Sequence, residues 1–246
     1  MDHLNNIHGF SISVFRDTGE LFSATAEFIL KRAETVLKRK RVFSLVLSGG
    51  NTPAGLYKLL TAEYSNVFPW NRTVFFWGDE RCVPPDNELS NYHTAYEYLL
   101  GPLGLTEKSW LRMKGELGRE KGAAAYEKSI RDFFSCPDTV PEFDCILLGV
   151  GNDGHTASLF PGSPVLSETE CLVAGITVPE HTKPDVDRIT MTIPVFLEAG
   201  TILFLASGSS KKEPLERIFR SNDTAIPAGA AAQGKNVFWH ITKDTL

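Results

Sequence analysis

The chain has 246 residues, of which 42% are hydrophobic and 22% charged, and its formal net charge is -5. This is enough apolar material for one domain spanning residues 1–246, and the acidic balance argues against nucleic acid or an anionic membrane as a partner. The polar start and the lack of an apolar run of membrane-spanning length predict neither a signal peptide nor a transmembrane helix. The four cysteines show no C-x-x-C spacing, so we expect reduced thiols and a cytoplasmic location.

Strand-like and helix-like patterns alternate along the chain, which is typical of an α/β fold with a mostly parallel sheet. The first half predicts strands at 11–15, 43–48 and 74–77, and helices at 21–40, from Pro53 with Thr52 as N-cap, and from about Asn91. The second half predicts helices at 122–134 and 211–220, and strands at 143–148, 189–196, 201–207 and 237–241.

An apolar run ends at residues 148–156 in three glycines around one carboxylate and one imidazole, Asp153 and His155. Glycine allows a tight turn and a close approach to a ligand. In a locally extended backbone, residues two apart project to the same side. A carboxylate beside an imidazole suits a general base, although an isolated histidine in a turn is more often structural.

Residues 149–154 also fit the pattern G-x-G-x-x-G. A dinucleotide site requires a helix directly after the glycines, whereas Pro161 and Pro164 interrupt the chain here. We therefore expect no dinucleotide cofactor. The remaining histidines show no metal-ligand spacing, so no metal is expected either.

Ligands of parallel α/β sheets bind beyond the carboxyl ends of the strands. The loop with Ser48, Gly49, Gly50 and Thr52 lies there, between a strand and a helix N-terminus, and its N–H groups could hold an anion such as phosphate. It has no P-loop lysine, which disfavours a nucleoside triphosphate. A plain strand-to-helix turn explains this loop equally well.

Charged residues at other predicted strand and helix ends are further candidates. Asp79 and Arg81 follow the strand 74–77, although such a cluster is more often simply solvated. Lys211 begins a predicted helix, where a cation is unfavourable unless an anion is bound. Arg188 is a weaker candidate, since a surface arginine needs no special role.

These motifs occur in an order and spacing that resembles the 6-phosphogluconolactonase family over nearly the whole chain. They are residues 47–53, 77–81, 90–92, 149–162, 188–190 and 208–211. The resemblance implies a three-layer α/β/α sandwich, shared with glucosamine-6-phosphate deaminases and ribose-5-phosphate isomerases, so fold alone does not decide the chemistry. It implies hydrolysis of 6-phospho-D-glucono-1,5-lactone in the pentose phosphate pathway, with no cofactor.

The resemblance also implies residue roles. His155 would take a proton from water, Asp153 would orient the imidazole, and N–H groups of the glycine loops would stabilise the oxyanion. The expected substrate-binding residues are Ser48, Gly49, Gly50, Thr52, Asp79, Arg81, Arg188 and Lys211.

Two alternatives stay open. The related deaminases carry a glutamate directly before the Pro-Gly pair, where this chain has Phe160, so deamination would lack a needed carboxylate. A sugar-phosphate sensor without turnover is the other, although the sequence predicts no helix-turn-helix or basic extension ahead of the domain. The tail 228–246 fits the family pattern poorly, and we predict no site residue there.

Overall fold

A computed structural model of the protein describes the backbone of residues 2–7, 10–180 and 182–246, and side chains within 10–180 and 182–246. The side chains of His3, His8 and His181 therefore lie outside the described residues. The strands are β1 Asp2–Ile7, β2 Phe10–Phe15, β3 Phe43–Leu47, β4 Thr73–Trp77, β5 Asp79–Arg81, β6 Cys145–Gly149, β7 Val173–Ile176, β8 Arg188–Met191, β9 Ile202–Ala206 and β10 Val237–Thr242. The helices are α1 Thr18–Leu37, α2 Asn51–Tyr64, α3 Asn91–Ala95, α4 Arg119–Phe134, α5 Ile193–Glu198, α6 Lys212–Ser221 and α7 Pro227–Ala231.

The central sheet has the strand order β1-β2-β10-β9-β6-β3-β4. Every neighbouring pair from β2 to β4 is parallel, whereas β1 runs antiparallel to β2. Parallel strands end at the same edge of the sheet, so the loops after β3, β4, β6 and β9 gather there. A small antiparallel sheet, β5-β8-β7, adjoins this edge through β5, which follows β4 after one residue.

Helices cover both faces of the central sheet. Along β3, Leu45 and Leu47 belong to a core under α1 and α2, while Val46 belongs to a second core under α4, α6 and α7. All five residues of β3 are buried, as expected for a strand covered on both faces. The predicted three-layer α/β/α architecture is confirmed.

Two local predictions are wrong. The segment 189–196 is not one strand: β8 ends at Met191 and α5 begins at Ile193, because Pro194 suits the first turn of a helix, where its missing N–H is not needed. Thr52 is not the N-cap of α2. Gly50 occupies that position with a φ of 99°, so the helix begins earlier and Thr52 lies in its first turn.

The β5 strand and its small sheet were not predicted, because all three residues of β5 are charged and therefore show no apolar alternation. The helix expected near Asn91 is confirmed, with the Ser90 hydroxyl accepting the His93 N–H as its cap. Lys211, at which the helix was predicted to begin, is the last residue of a short 3-10 turn, and α6 begins one residue later at Lys212.

Candidate active site

An aspartate–histidine pair lies in the loop after β6. The Oδ1 atom of Asp153 is 2.6 Å from Nδ1 of His155 and also accepts the His155 backbone N–H at 3.1 Å. The expectation of an extended backbone is wrong, because residues 152–154 form a turn. The turn nevertheless brings the two side chains together. Since a carboxylate only accepts hydrogen bonds, this contact places the proton on Nδ1 and leaves Nε2 as the basic nitrogen.

The pKa of Asp153 is lowered to about 2. Partial burial acts to raise it, but the hydrogen bond and charge of His155 outweigh that effect. The carboxylate is therefore ionised at neutral pH and available to hold the imidazole and stabilise its positive charge.

Two glycines fix this turn. A Cβ atom on Gly151 would lie 2.1 Å from Nδ1 of His155 and 2.7 Å from Oδ1 of Asp153, so the pair packs directly on the glycine. Gly154 has a φ of 84°, and a Cβ there would meet Ile226 at 2.2 Å. Ala228 donates its N–H to the Gly154 carbonyl at 3.0 Å. The segment at 226–228 thus supports the loop that carries Asp153 and His155, a role that the sequence did not reveal.

Phe160 packs against the candidate base. Its ring centroid is 4.9 Å from that of His155, and the side chain is buried with Ile176 and Val178. Phe160, the residue from which the sequence analysis argued against deamination, therefore forms an apolar wall beside the imidazole.

Lys211 lies next to the same loop, where its ammonium group donates to Oδ1 of Asn152 at 2.5 Å. Burial lowers the pKa of Lys211, while the charge of Asp153 acts to raise it. His155, Lys211, Phe160 and Lys183 line one cavity of about 610 Å³. The structure brings the predicted base and the predicted phosphate ligand to one cavity, and adds Asn152, which the sequence analysis missed.

The glycine loop after β3 lies at the start of α2. Ser48 is buried, and the Tyr57 hydroxyl both accepts its N–H and donates to its carbonyl. Gly50, with its positive φ, lines a second cavity of about 1000 Å³ together with Arg81. The first turn of α2, including Thr52, points free N–H groups to this edge of the sheet.

Two arginines lie opposite each other on neighbouring strands, Arg81 on β5 and Arg188 on β8; Arg188 is buried and Arg81 is half-buried. Arg188 is 3% exposed, so the expectation of a surface arginine is wrong. Its Nη2 donates to the Pro184 carbonyl, but Nε and Nη1 of Arg188 and Nε of Arg81 lack a hydrogen-bond partner in the described part of the chain. Burial, and then the charge of Arg81, lower the pKa of Arg188. Such an arrangement favours binding of an anion.

Asp79 and Glu80 are buried carboxylates with different partners. Asp79 accepts the Ser158 hydroxyl at 2.6 Å and the Asn91 amide at 3.0 Å. Its interior position favours a positioning role over contact with substrate. Burial raises the pKa of Glu80, and the three backbone N–H groups and the Ser90 hydroxyl that donate to its carboxylate offset this only in part.

Within the described residues, no group of three or more histidine, cysteine, aspartate or glutamate side chains is arranged to hold a metal ion. In that same part of the chain, no helix is both long and apolar enough to cross a membrane.

The fold and the site define an α/β protein with an aspartate–histidine pair and a lysine lining one cavity at the carboxyl edge of its parallel sheet. The family model for glucosamine-6-phosphate isomerases and 6-phosphogluconolactonase matches residues 16–239. The chain belongs to this family.

Individual relatives agree with this placement. The chain is 38% identical over 220 residues to the 6-phosphogluconolactonase of Rattus norvegicus, and the aligned region covers 88% of this chain and 84% of that protein. The solved 6-phosphogluconolactonase of Trypanosoma brucei superposes with a TM-score of 0.84 at 28% identity, over 95% and 96% of the two chains. A monomeric glucosamine-6-phosphate deaminase shares the fold with a TM-score of 0.81 at 21% identity, over 95% and 98%. Fold alone therefore does not separate these two chemistries.

Proposed function

We propose that this protein hydrolyses 6-phospho-D-glucono-1,5-lactone to 6-phospho-D-gluconate. The observation that carries the proposal is the Asp153–His155 pair, which lines one cavity with Lys211 and Phe160. The relatives that bear the name 6-phosphogluconolactonase support it. We also propose a cytoplasmic location, which fits the four free cysteines.

In the proposed mechanism, Nε2 of His155 takes a proton from water as the water oxygen attacks the lactone carbonyl carbon. The tetrahedral intermediate then breaks the bond to the ring oxygen, and the imidazolium returns the proton to that oxygen. Water is consumed and no cofactor is needed. General base catalysis of this kind contributes ~10²–10⁴ in rate. Asp153 keeps the imidazole in the required tautomer and stabilises its positive charge, and backbone N–H groups of the glycine loops stabilise the oxyanion.

The substrate phosphate is bound by the basic groups at the same edge of the sheet. Arg188 and Arg81 have buried guanidinium nitrogens that gain partners from a phosphate. Lys211 supplies a further cation, and the start of α2, with Gly49, Gly50 and Thr52, supplies N–H groups and a favourable dipole. Phosphate contacts fix the lactone so that its carbonyl reaches His155.

Phe160 favours hydrolysis over deamination. Deamination by the related enzymes implies a glutamate at this position, whereas the buried phenyl ring supplies no carboxylate. Hydrolysis of a lactone needs one base, an activated water and stabilisation of one oxyanion, and in the proposed mechanism His155 and the N–H groups of the glycine loops fill these roles.

The test is the rate of lactone hydrolysis above the spontaneous background, measured for the wild type and for His155→Ala. We expect the variant to lose at least about 100-fold in kcat while it still binds 6-phosphogluconate in calorimetry. Binding without turnover in the wild type would instead indicate a sensor. Wild-type turnover by His155→Ala would refute the assignment of the base.

The phosphate assignment is tested with Lys211→Ala. We expect KM for the phosphorylated lactone to rise about tenfold or more. The unphosphorylated lactone is the matched control substrate, because its hydrolysis does not use this contact. An equal loss on both substrates would contradict the role of Lys211.

A further inference from the structure

A network of buried hydrogen bonds connects the segment that follows His155 to the glycine loop at Gly49 through the carboxylate of Asp79. One oxygen, Oδ2, accepts the hydroxyl of Ser158, which lies three residues after His155. The other, Oδ1, accepts the side-chain amide of Asn91, and the Asp79 carbonyl accepts the same amide at 2.8 Å. Asp79, Asn91 and Ser158 are 7%, 2% and 2% exposed. Water therefore competes little for these bonds, and each one fixes geometry.

On one side this hydrogen-bond network reaches the glycine loop. A Cβ atom on Gly49 would lie 1.9 Å from Oδ1 of Asn91, so the amide packs directly against the backbone that precedes α2. Glu80 holds the backbone of Asn91 by accepting its N–H at 2.7 Å. The Asn91 side chain is thereby a fixed wall for the glycine loop, and its orientation is set by Asp79.

On the other side the hydrogen-bond network holds a strained turn at Ala157. Ala157 has a φ of 47°, in the left-handed region that residues other than glycine seldom adopt. The residues on either side are anchored: Thr156 donates its hydroxyl to the Gly149 carbonyl at 2.8 Å, and Ser158 donates to Asp79. The Ser158 N–H also donates to the hydroxyl of Thr190 at 3.2 Å. These anchors keep Ala157 in its unfavourable conformation, and His155 is attached directly to this segment.

We propose that Asp79 is a positioning residue that sets the distance between the base and the phosphate-binding loop. Through Ser158 it fixes the segment that carries His155, and through Asn91 it fixes the glycine loop at Gly49. The proposal rests on the proposed lactonase function for its kinetic readout. It assigns to Asp79 no contact with the substrate.

The two arms of the network, from Asp79 to Ser158 and from Asp79 to Asn91, affect different kinetic constants. Ser158→Ala releases only the segment of His155, so we expect kcat to fall about tenfold with KM within about twofold of wild type. Asn91→Ala releases only the glycine loop, so we expect KM for the phosphorylated lactone to rise about tenfold with kcat little changed. Asp79→Asn disturbs both arms and should show both effects. A general loss of stability would not divide kcat and KM in this way.

Rescue at Ala157 is the sharpest test. Glycine adopts a positive φ without strain, so the double variant Ala157→Gly/Ser158→Ala should recover most of the kcat lost in Ser158→Ala, while Ala157→Gly alone stays close to wild type. Wild-type kcat in Ser158→Ala, or a double variant no better than the single one, would overturn the proposal. Thermal unfolding identifies any variant that fails to fold, and Asp79→Asn carries the test if Ser158→Ala is one of them.

A readout that does not depend on turnover separates this proposal from the proposed function. In NMR spectra of histidine-labelled protein, we expect exchange broadening of the His155 ring signals in Ser158→Ala and sharp signals in the double variant. If the wild type does not hydrolyse the lactone but this pattern is found, the lactonase function fails and the positioning role stands. Sharp His155 signals in every variant would refute the positioning role.

Discussion

The substitution Gly151→Ala tests directly whether the geometry of the Asp153–His155 pair drives turnover. The added Cβ would lie 2.1 Å from Nδ1 of His155, whereas real Cβ contacts stay above 3.0 Å, so the imidazole must move by about 1 Å. The backbone of Gly151 lies outside the left-handed region, so alanine itself is accepted there. Since a 1 Å misplacement of a reacting group costs up to about 100-fold, we expect kcat to fall by about that factor.

Gly149→Ala is the matched control. Gly149 is the last residue of β6, two residues before Gly151, and a Cβ there would have no atom within 4 Å. We expect its kcat to stay within about twofold of wild type, because nothing at the site is displaced. The assay is initial-rate hydrolysis of the phosphorylated lactone with the spontaneous rate subtracted, accompanied by thermal unfolding of both variants.

Two results would contradict the expected effect of Gly151→Ala. A folded Gly151→Ala protein with wild-type kcat would show that the position of the imidazole does not control the rate. Equal losses in both glycine variants would show that this end of β6 and its loop respond to any added methyl group. Either result would refute the argument from geometry.

Three further predictions follow from the charges of the protein. For Asp153→Asn, we expect kcat to fall roughly tenfold at neutral pH, because the loss of charge weakens the support of the imidazolium at a partly exposed position; an unchanged pH–rate profile and kcat would contradict this. For Arg188→Gln, KM for the phosphorylated lactone should rise about tenfold or more, with the unphosphorylated lactone unaffected. Burial lowers the pKa of His240 to about 4, so the unfolded chain binds more protons below about pH 6.5, and the free energy of unfolding should fall by about 3 kcal/mol between pH 6.5 and 4. Chemical denaturation across this range checks that loss, and His240→Gln should flatten the pH dependence.

Local chemistry allowed the sequence to predict much of the fold and part of the site. The alternation of apolar runs and amphipathic segments predicts a parallel α/β sheet, since burial on both faces requires continuous apolar strands such as β3. The sequence predicted the Asp153–His155 pair because the two residues are only two positions apart, and the glycines that shape their loop can be read directly from the sequence. Local patterns failed where the segments are short, as at α5, whose first turn contains Pro194.

Tertiary structure decided what depends on distant residues. Burial made Arg188 an interior cation with unpartnered nitrogens, although its sequence context is that of a surface arginine. The contacts from Asp79 to Ser158 and from Ile226 to Gly154 join segments 79 and 72 positions apart. No local periodicity encodes such contacts, because they arise only when the loops after separate parallel strands meet at one edge of the sheet. The sequence by itself therefore determined the fold class and the chemical groups, and the packing of the chain determined which groups act together.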